Sequence, residues 1–268
     1  MPTPLDVFRD GVLSGHVALV TGGGTGICRG IAEAYARFGA DVCIVSRKED
    51  VLAKTADEIK AATGREVLGV AADVRHPDAI ADAIRRTVER FGKLDTLVNG
   101  AAGNFLAPAA GLSPNGFKTV IEIDLVGTFN ASRAAFEPLK SSGDGLVLNI
   151  SATLHYHGTP LQIHASAAKA GVDAVTKNLA VEWGRFGIRA CGIAPGPIGD
   201  TEGMRRLAPP GDIEKMAKAG IPAGRFGTIA EIAAAAVFLR SPAAAYVTGH
   251  VMVVDGGHCV ATPSIVGA

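Results

Sequence analysis

Short apolar segments alternate with helical patterns along almost the whole chain. The apolar segments are rich in β-branched residues and flanked by glycine, which favours strands over buried helices. They lie at residues 16–23, 41–46, 66–73, 94–100, 145–151, 188–195 and 251–257. Between them, apolar residues recur at helical spacing, as they do from Ile27 through Ile31 and Tyr35 to Phe38.

This alternation predicts one α/β domain over residues 1–268, built on a doubly wound parallel sheet of seven strands (Rossmann-type). Capping signals at Ser113, which precedes a proline, and at Thr228, which precedes Glu231 by three residues, mark two helix starts. Residues 199–222 are rich in glycine, proline and charge. They are long for a connection between a strand and a helix, so we expect a mobile substrate lid there.

Composition and charge exclude several classes of partner. The chain has 26 basic and 26 acidic residues, so there is no electrostatic case for nucleic acid or a membrane surface. Its four cysteines are scattered without a CxxC pair, which favours reduced thiols over a disulfide frame or a metal site. We find no apolar signal core, no run long enough to span a bilayer and no C-terminal SKL tripeptide, and we therefore expect a cytoplasmic protein.

A glycine-rich turn follows the first predicted strand and opens an amphipathic helix. Such a turn alone is weak evidence, but in this context it predicts a dinucleotide site, because glycine lets backbone N–H groups approach a pyrophosphate at the helix start. The predicted contacts are Gly22, Gly23, Gly24, Thr25, Gly26 and Ile27.

The end of the second strand points to the cofactor. An NAD site would place an acidic residue there for the ribose 2′-hydroxyl, but this chain has Ser46, Arg47 and Lys48. Because a guanidinium suits a 2′-phosphate, Arg47 favours NADPH. The alternative is an ordinary solvated helix start.

Further motifs indicate which family of dinucleotide-binding proteins the chain resembles. They are TGGGTGI at 21–27, DVR at 73–75, NGAAG at 99–103, APGPI at 194–198 and YVTGHVMVVDGG at 246–257. With these motifs the chain resembles the short-chain dehydrogenase/reductase family over nearly its whole length. It departs from the family at Cys28, where the last glycine of the turn is usual, and we expect that Cβ to crowd the helix slightly against the strand.

The resemblance also exposes missing catalytic groups. Familiar members use an asparagine, a serine, a tyrosine and a lysine to protonate and hold a carbonyl oxygen. Aligned on Lys169, the tyrosine position is Ala165, the serine position is Ala152 and the asparagine position is Asp124. Since neither alanine can supply a proton, an ordinary carbonyl reductase is not expected.

Two nearby side chains are possible substitutes for the missing acid. His164 precedes Ala165 and is a candidate acid, whereas Tyr156 is better interpreted as a polar residue at the rim of a pocket.

The substitutions match one branch of the family. The stretches NGAAGNFLAPA and HASAAKAGVDAVTKNLAVEWG are similar to the peroxisomal type of 2,4-dienoyl-CoA reductase, in which an aspartate and a lysine are the catalytic pair. The resemblance implies that Asp124 and Lys169 hold a water that protonates the α-carbon of a dienoyl thioester in unsaturated fatty acid breakdown, after hydride reaches C5. The alternative for this pair is a structural ion pair.

Other functions remain open at this point. One is reduction of another activated C=C bond, such as that of a 2-enoyl-CoA. Another is non-catalytic NADPH binding, which the two alanines keep open.

The resemblance implies further contacts and a homotetramer. We expect Asp73 at the adenine, Lys169 at the nicotinamide ribose and Asn104 with Phe105 at the acyl pocket. The remaining expected cofactor contacts are Asn99, Pro195, Gly196, Ile198 and Thr201, and the expected acyl-CoA contacts are Arg75, Ser113, Asn115 and Arg206. For Arg75 and Arg206 the alternative is solvated surface.

Overall fold

Seven parallel strands form one sheet, as predicted. The computed structural model describes residues 3–201, 203–204 and 211–261. Its strands are β1 (Val17–Thr21), β2 (Asp41–Ser46), β3 (Val67–Ala71), β4 (Thr96–Asn99), β5 (Gly145–Ile150), β6 (Ile188–Pro195) and β7 (Val251–Val254). They lie in the order β3-β2-β1-β4-β5-β6-β7. The direction of strand addition reverses between β1 and β4, and ligands bind at the carboxyl ends of the strands at such a point.

Helices cover both faces of this sheet. They are α1 (Gly26–Arg37), α2 (Glu49–Thr63), α3 (Pro77–Phe91), α4 (Pro114–Ile121), α5 (Gly127–Ser142), α6 (Ile163–Trp183), α7 (Asp212–Ala219) and α8 (Ile229–Arg240). A π-helical turn, Glu122–Val126, joins α4 to α5, and the sequence pattern did not predict it.

The core consists of two apolar layers, one on each face of the sheet. Successive strand residues point to opposite faces, so Val20 packs with α1 and α8 while Leu19 packs with α3 and α5. Both residues are fully buried. This two-sided burial explains why the strands are continuous apolar runs without polar alternation.

Both predicted helix caps are confirmed. The Ser113 hydroxyl accepts the Gly116 N–H at 3.0 Å at the start of α4. At the start of α8, Thr228 and Glu231 form a reciprocal capping box.

The predicted lid contains α7, but residues 202 and 205–210 of this segment lie outside the described residues, and its role as a lid stays a prediction. No helix in the described ranges is long and apolar enough to cross a membrane.

Candidate active site

The glycine turn lies at the carboxyl end of β1. Gly22 has a φ of 72°, in the left-handed region, and a Cβ there would come within 2.9 Å of the Gly100 carbonyl oxygen. A Cβ at Gly23 would lie 2.8 Å from the Val20 carbonyl oxygen. Side chains are therefore excluded at both positions, and the turn leads into the N-terminus of α1, where N–H groups favour an anion.

A cleft of about 330 Å³ opens beside this turn. It is lined by five of the predicted cofactor contacts, Gly22, Gly24, Thr25, Arg47 and Asp73, together with Ser46 and Lys48. The cleft thus combines a backbone cradle with two basic side chains, and these residues fit a nicotinamide dinucleotide that carries an extra phosphate.

Asp73 and Arg75 form a two-pronged ion pair at the edge of this cleft. The Arg75 Nη2 donates to Asp73 Oδ2 at 2.6 Å, and its Nε donates to the same carboxylate at 3.1 Å. This hydrogen-bonded guanidinium lowers the pKa of Asp73 to about 2. Arg75 is therefore held against Asp73, and its contact with CoA phosphates stays a prediction.

Cys28 is accommodated by a glycine on the neighbouring strand connection. The thiol is buried, and a Cβ at Gly100 would lie only 2.0 Å from its Sγ. Gly100 directly follows β4, so the absence of a side chain there leaves space for the sulfur atom. The Cys28 side chain, at a position where the family usually has glycine, thus occupies space that is free because Gly100 has no side chain.

The site contains a buried carboxylate and a buried ammonium group. Lys169 Nζ lies 3.4 Å from Asp124 Oδ2, and it donates to the Ile150 carbonyl oxygen at 2.8 Å. The other oxygen of Asp124 accepts the Gly103 N–H at 2.7 Å. The two predicted side chains therefore lie together, and their bonds join the π-helical turn and α6 to the chain after β4 and to the last residue of β5.

Burial affects the protonation of this pair. Asp124 is only 2% exposed, and this burial raises the pKa of its carboxyl group, although Lys169 and the Gly103 N–H oppose the shift. A lysine alone would keep the carboxylate ionised, but loss of hydration favours the protonated form. A carboxyl group with a raised pKa that is bonded to Gly103, a residue of the cleft lining, is a candidate for proton transfer.

The π-helical turn around Asp124 was missed from the sequence. The Thr128 hydroxyl, in the first turn of α5, donates to the Asp124 carbonyl oxygen at 2.6 Å. Turns of this kind are rare and often lie at functional sites. Apolar spacing does not distinguish one wide turn from a regular helix, so no sequence signal indicated it.

Tyr156 does not take the place of the missing phenol. Its hydroxyl donates to Asp173 at 3.0 Å, and the same buried carboxylate interacts with Ser151 and with the His155 ring. Burial and the Asp173 carboxylate raise the pKa of Tyr156, which makes it a poorer proton donor. Sequence reasoning missed this cluster, because its members are brought together only by the packing of α6 on the loop after β5.

Several predicted contacts have defined neighbours. Asn104 donates to the Gln162 side chain at 2.6 Å, and Phe105 packs edge-on against His164 with ring centres 4.4 Å apart. The Asn99 amide nitrogen is bonded within the core, to Asn149 at 2.9 Å. These assignments as substrate and cofactor contacts stay predictions.

The other predicted contacts are more dispersed. Ser113 and Asn115 lie at the exposed start of α4. Pro195 ends β6, Gly196 packs against Asp255, and the Thr201 hydroxyl donates to the Ile198 carbonyl oxygen at 2.8 Å. Arg206 lies outside the described residues.

Comparisons with known proteins agree with this arrangement. A family model described as Enoyl-(Acyl carrier protein) reductase matches residues 22–259. The chain is 47% identical over 261 residues to the peroxisomal 2,4-dienoyl-CoA reductase [(3E)-enoyl-CoA-producing] of Rattus norvegicus, with 97% of this chain and 89% of that protein covered. It is 48% identical over 253 residues to a peroxisomal 2,4-dienoyl-CoA reductase of Saccharomyces cerevisiae, with 93% of this chain and 86% of that protein covered.

Solved structures show the same fold. One is a gluconate 5-dehydrogenase from Burkholderia cenocepacia in complex with NADP and tartrate. It matches with a TM-score of 0.89 at 32% identity and covers 96% of this chain and 99% of that chain. The two named relatives are described as peroxisomal, so the expected cytoplasmic location stays a prediction. From the motifs, the sheet order and these matches, the chain belongs to the short-chain dehydrogenase/reductase family.

Proposed function

We propose that this chain is an NADPH-dependent reductase of trans-2,4-dienoyl-CoA thioesters and that it forms trans-3-enoyl-CoA in unsaturated fatty acid breakdown. The observation that carries the proposal is the buried pair of Asp124 and Lys169, 3.4 Å apart, beside positions 152 and 165, where alanines replace the hydroxyl groups of familiar members. Relatives at 47–48% identity that are named 2,4-dienoyl-CoA reductases support the same activity.

The cofactor is held by the glycine turn and by Arg47. The turn offers backbone N–H groups at the start of α1 to a pyrophosphate, and Arg47 offers paired N–H donors to a 2′-phosphate. Bound NADPH supplies a hydride, which adds to C5 of the dienoyl thioester. Lys169 contributes a second contact, to the nicotinamide ribose.

Asp124 and Lys169 supply the proton. As hydride adds to C5, the C4–C5 and C2–C3 double bonds become single, C3–C4 and C1–C2 double bonds form, and the C1–O double bond gives its electron pair to the thioester oxygen. A water held between Asp124 and Lys169 protonates C2, and the pair recovers a proton from solvent. The raised pKa of Asp124 suits this step, because a carboxyl pKa that moves toward the working pH lets the group both give up and regain a proton.

The proposal also includes the substrate contacts. We place the acyl chain beside Asn104 and Phe105, where Gln162 and His164 hold these two side chains. We assign binding of the CoA moiety to Arg75, Ser113, Asn115 and Arg206. The proposed assembly of the protein is a homotetramer.

A substrate comparison tests the proposal. Purified protein and NADPH are offered 2,4-hexadienoyl-CoA, 2-hexenoyl-CoA or a simple ketone, and NADPH oxidation is followed. We expect oxidation with the dienoyl thioester alone, with deuterium from labelled NADPH at C5 and solvent deuterium at C2. Turnover of the monoene would favour a 2-enoyl thioester reductase, and tight NADPH binding without any turnover would favour a non-catalytic protein.

Substitutions test the pair itself. We expect Asp124→Asn and Lys169→Ala each to lower kcat by about 10²- to 10⁴-fold, the range for loss of a positioned acid–base group. Ala165→Tyr added to either variant should not restore activity. A phenol at this position would protonate a carbonyl oxygen, whereas the proposed reaction protonates a carbon atom.

A matched control is Asp95→Asn. Asp95 is also buried beside a lysine, at 3.1 Å from Lys93, and it also accepts a backbone N–H. It precedes β4 and so lies at the opposite end of the sheet. Normal rates in Asp124→Asn, or an equal loss in Asp95→Asn, would contradict the proposed relay.

A further inference from the structure

His164 is a buried imidazole without hydrogen bonds. It lies in the first turn of α6, its exposed fraction is 0%, and neither ring nitrogen has a partner within the described residues. Its one clear aromatic contact is with Phe105, whose ring meets it edge-on at 71°. Buried polar groups are nearly always paired in native proteins, so an imidazole with two unpaired nitrogens requires an explanation.

Packing alone does not account for this residue. A phenylalanine or leucine would fill the same space beside Phe105 without burying two polar atoms. A ligand group that accepts a hydrogen bond from the ring would remove this disadvantage. An imidazole is also suited to such a role, because one of its nitrogens carries a proton in either neutral tautomer.

His164 also lies next to the place where donors are missing. It precedes Ala165, and in the family pattern positions 165 and 152 carry the hydroxyl groups that hold the substrate oxygen. A positive charge on His164 would lower the pKa of the Asp124 carboxyl group, so the two side chains are near enough to interact electrostatically.

Three other donors of the site already have partners within the protein. Lys169 donates to the Ile150 carbonyl oxygen and faces Asp124. The Gly103 N–H donates to Asp124, and the Asn104 amide donates to Gln162. In the described part of the site, the ring of His164 is thus a buried donor whose bonding capacity is unmet.

We propose that His164 donates a ring N–H to the thioester carbonyl oxygen of the substrate. This inference rests on the proposed function, since it assigns the group that receives the negative charge. As hydride adds to C5, charge accumulates on that oxygen, and the N–H bond to it strengthens. His164 keeps its proton throughout, whereas the proton that reaches C2 comes from the water at Asp124 and Lys169.

The test compares two ligands that differ by one oxygen. The first is 2,4-hexadienoyl-CoA, which cannot be reduced when the protein is saturated with NADP⁺, and the second is the thioether in which the carbonyl is replaced by a methylene group. Calorimetry gives the Kd of each for the native protein, His164→Phe and His164→Gln. Phe removes both nitrogens, whereas Gln retains an N–H donor.

We expect the native protein to prefer the thioester and His164→Phe to lose about tenfold or more of that preference, the effect of one hydrogen bond to a buried acceptor. His164→Gln should recover part of it. With NADPH, His164→Phe should lower kcat by about 10²- to 10³-fold. His250→Phe is the matched control, because His250 is exposed beside β7. We expect this variant to have the ligand preference and the kcat of the native protein.

Two results would overturn the inference. One is a native protein that binds both ligands equally, which requires no variant to fold. The other is a His164→Phe protein with an unchanged ligand preference. Failure of the proposed function is separate, because it is seen as an absence of dienoyl-CoA turnover by the native protein with NADPH.

Discussion

The contact between Cys28 and Gly100 supports a quantitative prediction about the nucleotide end of the fold. Gly100→Ala places a Cβ 2.0 Å from the Cys28 sulfur, well inside any allowed contact, and 3.3 Å from both Ile150 Cγ1 and the Thr21 carbonyl oxygen. Cys28 lies in α1, so this clash is relieved either by rotation of the buried thiol against its neighbours or by displacement of the helix that begins at the glycine turn.

The expected cost follows from overpacking of a dense core. We expect Gly100→Ala to lower the free energy of unfolding by about 1–3 kcal/mol. Cys28→Ala removes the sulfur, so Gly100→Ala should cost much less in that background. The coupling between the two substitutions should reach about 1–2 kcal/mol, within the range for residues in direct contact. The contacts with Ile150 and Thr21 remain, so the rescue should be partial.

Urea unfolding of the four proteins gives this coupling, and NADPH titration of each gives the effect on the cofactor site. Gly100→Ala should weaken NADPH binding, and Cys28→Ala should restore part of it. Gly184→Ala is the control, because Gly184 is helical and a Cβ there meets nothing within 4 Å. Equal costs of Gly100→Ala with and without the thiol would refute the reasoning.

Three further predictions concern charged side chains. Arg47→Ala should reduce the preference for NADPH over NADH by about 10- to 100-fold, measured as a ratio of kcat/KM values, and an unchanged ratio would remove Arg47 from the 2′-phosphate site. Asp173→Asn weakens the contacts of one buried carboxylate with Ser151, His155 and Tyr156 and should lower the free energy of unfolding in urea by about 1.5–3 kcal/mol, whereas no loss would mean that the cluster is not stabilising. The Arg225 guanidinium lowers the pKa of Glu231 to about 2 from 4.5. The resulting stabilisation is complete above pH 4.5 and disappears as pH falls toward 2, so the loss of unfolding free energy in Glu231→Gln should shrink on acidification, and a constant loss would contradict this.

The fold was predictable because its signals are local and repeated. Strands buried on both faces are continuous apolar runs, and helices at 3.6-residue spacing separate them, so each element could be recognised alone. The caps at Ser113 and Thr228 were equally accessible, since each depends on residues three apart. The nucleotide end was predicted for the same reason, because the turn and Arg47 are defined by their place after a strand.

The candidate site was predictable only in part. The sequence determined which chemical groups were present: Asp124 and Lys169 remained, while alanines stood at 152 and 165. Tertiary structure decided the surroundings on which their chemistry depends. The burial that raises the pKa of Asp124 comes from the π-helical turn packed against α6, and the unpaired ring of His164 comes from its enclosure against Phe105. The hydration and hydrogen bonding of these two side chains depend on residues that are distant in the chain. The spacing of neighbouring residues in the sequence therefore cannot predict them.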